Sequence, residues 1–299
     1  MKIFDVHTDV LYDLYRKKIS GEDNRIAFHN KQLKDTFIKG GLWTFYSSED
    51  LDLKNAINIA LGELKGLDLG NFDIILGFEG LRNLKSIEEL DYYYNLGFRH
   101  AMLTWNEEND YATGAKADKN NGLKDLGKKV LDKMMSLGMI VDLAHLNEKS
   151  FFEVVEYVKN YDKIIYSHGL LKAFSSHPRN LTIKQLLALK QVNGLFGLTL
   201  ANNFVSDDKD CMDLKHFMFH VREALEVIGE DNLCFGFDFM DYLSEFSNSN
   251  IKEVPDATKV YLIIEEMRKS GYSEKTIEKI AYGNFYEKYK GLVWRKING

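Results

Sequence analysis

The sequence has only two prolines and two cysteines, no run of five or six like charges, and no apolar stretch near the roughly 18 residues of a membrane span. Each scarcity excludes something. Two cysteines, Cys211 and Cys234, cannot build a disulfide framework and lack the paired spacing of a structural zinc site, so both are expected as reduced, buried thiols. With 39 basic against 45 acidic residues, a net charge of −6 and no basic block, a nucleic-acid footprint is not supported. The N-terminus meets an acid at Asp5, where a secretory signal needs an unbroken apolar stretch. A cytoplasmic protein without membrane contact is the expectation.

What is present is ample core material, since 45% of the 299 residues are hydrophobic and 28% charged. That composition excludes a disordered or collagen-like chain. The length suits either two domains of about 150 residues or one α/β barrel of about 250 or more. The pattern favours the barrel. Eight short β-rich runs recur: Lys2 to Val6, Leu42 to Tyr46, Asp73 to Phe78, His100 to Thr104, Met139 to Ala144, Lys163 to Ser167, Leu195 to Leu200 and Asn232 to Phe237. Helix-like stretches separate them, as in Leu123 to Leu137, where Leu126, Val130, Leu131, Met134 and Leu137 fall at three- and four-residue steps. Gly97, Gly138 and Gly194 stand where a helix can end in the left-handed conformation before a strand. Alternating strands and helices imply parallel pairing, and runs such as Ile140-Val141-Asp142-Leu143 are apolar enough for a sheet covered on both faces.

A doubly wound open sheet alternates in the same way, but it usually carries a glycine-rich phosphate loop after its first strand. Here the chain reads Asp5-Val6-His7-Thr8-Asp9. The expectation is therefore a (β/α)8 TIM barrel, one domain over residues 1–299, with a long loop at Ser247 to Asp256 and closing C-terminal helices at Lys259 to Arg268 and Glu274 to Lys288.

In such a barrel the active site lies where the strands end. The strand-terminal residues are His7 with Asp9, Glu79, Trp105 with Asn106, His145, His168 and Asp238. His7 and Asp9, two apart on a strand, project to one face and can ligate one metal together, although a strand-end histidine with a helix-capping aspartate fits the same pair. His145 and His168 offer two more imidazoles; either alone could be a hydrogen-bonded structural histidine. Glu79 follows an apolar run, where an unpaired carboxylate is costly and a divalent cation is a natural partner. Five ligands exceed what one tetrahedral zinc needs, so two metals with the glutamate as bridge is the economical reading. Asp238, in an apolar frame, could move a proton to a leaving group or simply cap a buried turn.

The segments Asp5-Val6-His7-Thr8-Asp9, Glu79-Gly80, Leu137 to His145, Tyr166-Ser167-His168, His177-Pro178-Arg179-Asn180 and Gly236-Phe237-Asp238-Phe239 resemble the membrane (renal) dipeptidase family of metallopeptidases, within the amidohydrolase-like barrels. The resemblance runs in order from about residue 3 to Asn284. It implies a binuclear dipeptidase with two divalent ions, zinc first among them. His7 and Asp9 would hold one ion, His145 and His168 the other, and Glu79 would bridge. Asp238 would shuttle the proton and Arg179 would grip the substrate's C-terminal carboxylate. A guanidinium fork suits that last task where lysine does not. The resemblance also implies tolerance of a D-residue at the C-terminal position, and a homodimer. The family's better-known members carry a histidine near the end of the fourth strand, where this chain has Trp105-Asn106. An asparagine amide could donate to a developing oxyanion and an indole could pack on substrate, but neither replaces an imidazole. An amidohydrolase acting on another amide, an N-acyl amino acid or a lactone is the alternative, and a binding or scaffold barrel a third reading. His29, His100, His177, His216 and His220 match no ligand position and are expected to be structural or exposed.

Overall fold

The computed structural model describes residues 1–47, 51–243 and 249–294. Eight parallel strands close into a barrel in chain order: β1 (Ile3–Thr8), β2 (Ile38–Tyr46), β3 (Asp73–Glu79), β4 (Phe98–Met102), β5 (Ile140–Asp142), β6 (Ile164–Gly169), β7 (Leu195–Leu198) and β8 (Leu233–Phe235). Closure is made at Asp5 of β1 opposite Phe235 of β8. Every one of the eight expected runs overlaps a strand, and helices intervene.

The differences have local causes. β2 begins four residues before the expected Leu42, because Gly40 and Gly41 belong to the strand. Glycine reads as a weak strand former, yet a Cβ at Gly40 would lie 2.5 Å from the Phe4 ring, so only glycine lets β1 and β2 pair here. β4 pairs over Phe98–Met102, earlier than expected, which leaves Thr104, Trp105 and Asn106 in the loop above it. The helix Asp125–Leu137 buries Val130, Leu131 and Met134, whereas Leu126 is exposed. Gly97 and Gly138 take positive φ as expected; before β7 the left-handed residue is Asn193 (φ 51°) and not Gly194. Asparagine tolerates that region because its short polar side chain bonds locally.

The C-terminal helix expected over Glu274 to Lys288 is interrupted. Helices Glu274–Glu278 and Asn284–Tyr289 flank a π-helical segment, Lys279–Gly283. The second of them lowers Phe285 and Tyr289 onto Phe4, Val6, Leu42, Ile75, Ile140, Ile165 and Leu195, sealing the end of the barrel where the strands begin. Tyr261–Lys269 forms the other closing helix. Of the expected loop Ser247 to Asp256, Ser247 and Asn248 lie outside the described residues. The remainder is a loop, as expected, anchored by buried Ile251 and Val254, and the Ile251 N–H donates to the Leu200 carbonyl. Cys234 is buried and free, as expected, while Cys211 is free but only half-buried.

Candidate active site

All six residues of β1 are buried, and period-two alternation sends Asp5 and His7 to the same side. Asp9 follows the strand at the start of helix Val10–Ile19, and its Oδ1 accepts a hydrogen bond from the Thr44 hydroxyl of β2 at 2.8 Å. Glu79 is the last residue of β3. Its Oε1 lies 2.7 Å from His145 Nε2, 3.8 Å from His7 Nε2 and 3.9 Å from His168 Nε2. The Nε2 atoms of His145 and His168 are 3.0 Å apart, and the His7 and His168 rings stack at 3.7 Å. Asp238 Oδ1 reaches within 3.6 Å of His7 Nε2. Five strand ends thus bring His7, Asp9, Glu79, His145, His168 and Asp238 to one spot, with Glu79 central. Two sets, His7 with Glu79 and His168, and His7 with Asp9 and Asp238, place ligand atoms within 4.8 Å of one another.

Burial dominates their electrostatics. Burial holds the His7 imidazole down at about 3. Burial, reinforced by neighbouring cations including Arg179, keeps His145 and His168 well below the usual histidine range. All three are neutral, which is the form that donates a lone pair to metal. The acids move the other way. Burial pushes Asp9 up to about 6; burial and the Asp9 charge push Asp238 up to about 7; burial with Asp9 and Asp238 drives Glu79 well above the carboxylate range. Both ring nitrogens of His7 are buried without a hydrogen-bond partner. Neutral imidazoles beside crowded acids, with an orphaned histidine between them, make a donor set able to hold a divalent cation.

Above this floor opens a cavity of about 540 Å³. Arg179, 3% exposed, crosses its wall: Nη1 sits 2.6 Å from the His145 ring nitrogens, Nη2 donates to the His168 carbonyl at 3.0 Å, and Nε has no partner. Trp105 packs tilted over His145 and edge-on to Tyr46. Asn106, expected beside substrate, lines the cavity, but its Oδ1 lies 3.1 Å from His145 Nδ1.

His177 departs from the expectation of a merely structural or exposed histidine. It lines the cavity, stacks on Phe204 at 3.9 Å, and is held at about 4 by burial and by Arg179. Its adjacency to Arg179 in the sequence was the available signal. The other four histidines are engaged elsewhere, His29 with Asp13, His100 with Asp142, His216 with Asp213 and His220 with Val205.

Residues 61–291, a span that includes Glu79, His145, His168, Arg179 and Asp238, match the membrane dipeptidase family, peptidase family M19. The chain belongs to that family. Among its relatives, dipeptidase tcpJ of Claviceps purpurea is 26% identical over 275 residues, covering 91% of this chain and 63% of that protein. Dipeptidase aclJ of Aspergillus oryzae is 28% identical over 222 residues, covering 72% of this chain and 50% of its own length. This M19 chain thus spans about half to two thirds of those fungal proteins. In fold it is similar to an M19 dipeptidase structure, with a TM-score of 0.82 at 22% identity over 97% of this chain and 98% of the other. It is also similar to a Rhodobacter sphaeroides metallopeptidase bound to a phosphinate mimic of L-Ala-D-Ala, with a TM-score of 0.80 at 20% identity over 98% and 99%. Among the described residues of this family member, no helix is long and apolar enough to cross a membrane.

Proposed function

We propose that this M19 protein is a metal-dependent dipeptidase working with two zinc ions. The observation that carries the reading is the convergence of His7, Asp9, Glu79, His145 and His168 beneath a cavity walled by a buried arginine. His7 and Asp9 would hold one ion, His145 and His168 the second, with Glu79 between them. When bound, such ions polarise the scissile carbonyl and bring a water's pKa toward about 7.

The chain's own groups supply the rest. Asp238, poised at about 7 and 3.6 Å from His7, can take a proton from the attacking water and deliver it to the departing amine. Arg179, whose Nη1 and Nη2 rest here against the His145 ring and the His168 carbonyl, would turn its charged fork to the substrate's terminal carboxylate, a pairing that burial strengthens. A cavity of about 540 Å³ accepts a dipeptide with modest side chains. The Rhodobacter relative's L-Ala-D-Ala mimic supports dipeptides with a D-residue at the C-terminal position as substrates.

Trp105 favours one second reading. Its indole presents an apolar wall beside His145, which would also suit the acyl group of an N-acyl amino acid or a lactone. Metal analysis with a substrate panel separates the two. We expect about two zinc-class ions per chain and turnover of dipeptides, D-residue forms included; a metal-loaded protein that cleaves only N-acyl amino acids or lactones overturns the dipeptidase reading.

A further inference from the structure

Two of the three non-glycine residues with left-handed backbone among the described residues are site residues, His145 (φ 69°) and Asp238 (φ 57°). Left-handed backbone at such residues persists only where the surroundings impose it. Each is preceded by a residue whose N–H is held by a buried carboxylate inside the barrel. Asp142 Oδ1 accepts the Ala144 N–H at 2.9 Å, next to His145, and the Ser167 N–H at 3.0 Å, next to His168. Asp5 Oδ1 accepts the Phe237 N–H at 2.9 Å, next to Asp238, and the N–H of His7 itself at 3.3 Å. One oxygen in each case joins two neighbouring strand ends, β5 to β6 and β8 to β1. Asp142 and Asp5 are 1% and 3% exposed, so water does not compete for these bonds. Asp142 is further seated by His100 Nε2, 2.8 Å from its Oδ2.

We propose that Asp5 and Asp142 are a matched pair of positioning residues, each clipping two strand ends so that His7, Asp238, His145 and His168 point into the mouth at fixed spacing. They touch neither cavity nor substrate in this role. The inference rests on the metal reading above for its purpose, while the clips themselves are a property of the chain alone.

Full-length Asp142→Ala, Asp142→Asn, Asp5→Ala and Asp5→Asn are compared with the parent by two readouts. The first is residue-resolved hydrogen exchange on metal-free protein. Alanine at 142 should speed exchange at Ala144 and Ser167 by about tenfold or more while Val141 and Leu143 stay protected, and alanine at 5 should do so at Phe237. Asparagine retains an oxygen able to accept both N–H groups, and His100 can switch tautomer to meet its amide, so the asparagine variants should return to parental rates. The second readout is cobalt affinity with the visible spectrum of the bound ion. The alanine variants should bind about 10- to 100-fold more weakly, with a shifted spectrum, and asparagine should restore both. Parental exchange in the alanine variants, failure of asparagine to rescue, or fast exchange with an unchanged cobalt spectrum would each overturn the proposal. Should an alanine variant not fold, its asparagine counterpart decides, because parental exchange and spectrum are required of it. A chain that takes no cobalt at all but shows the exchange pattern retains the clips and loses the metal reading.

Discussion

Under the proposed function, replacing Arg179 should separate binding from chemistry. Lysine keeps the charge but loses the planar fork, so Arg179→Lys should raise KM for dipeptides about tenfold or more with a smaller change in kcat. Steady-state kinetics on a dipeptide and its C-terminal amide check this, since equal losses on both would remove the carboxylate contact. Asp238→Asn should lose about 10²-fold or more in kcat while retaining its metal, read by turnover alongside metal analysis. At this scale the sequence was legible in the nearness of His7 and Asp9, which the structure brings to one spot although Asp9 stands just past the strand, at the start of the next helix. For His177 it gave only nearness to Arg179, two residues on, since the ring's place beside the cavity goes with stacking on Phe204, 27 residues on. Nor did it show that Asn106 turns its oxygen toward the His145 ring, because β4 ends earlier than its composition suggests.

Among the elements, the helix Leu214–Ile228 makes the clearest pH prediction. Its His220 accepts the Leu171 N–H at 3.1 Å through Nδ1 and donates to the Val205 carbonyl at 2.9 Å through Nε2, joining three segments as a neutral ring. Burial holds its pKa down to about 4. The unfolded imidazole takes a proton from pH 6.5 downward while the folded one resists. The contribution to stability is therefore intact above pH 6.5 and is lost as the pH falls toward 4, by up to about 3 kcal/mol. His220→Gln keeps one donor and one acceptor without a titrating group, so its urea midpoint should vary less between pH 7 and 4.5 than the parent's. The turn before β5 gives a second test. Gly138 has φ 71°, and Gly138→Ala should lower stability by about 1 to 2 kcal/mol in the same assay. Helix, turn and strand order could be read from the sequence because glycine punctuates them. The early start of β2 and the π-helical break at Lys279–Gly283 could not, since both answer to packing against distant residues, Phe4 for Gly40 and the barrel floor for Phe285.

For the molecule as a whole, eight alternating units sufficed to expect a closed barrel, and closure is what gathers residues as far apart as His7 and Asp238. The apolar end remote from the site was not foreseen. Phe285 packs there at 4.8 Å from both Phe4 and Tyr289, and Phe285→Ala should cost about 3 to 5 kcal/mol without altering metal content. The junction of first and last strands has a further consequence. β8 is only three residues long, and the Asp238 N–H reaches the His7 carbonyl at 3.3 Å directly across this join. A local parting there by an ångström or two draws Asp238 away from the imidazole cluster while the other seven strand pairings stay intact. On gradual warming, hydrolysis should accordingly fade several degrees before far-ultraviolet dichroism records any loss of helix.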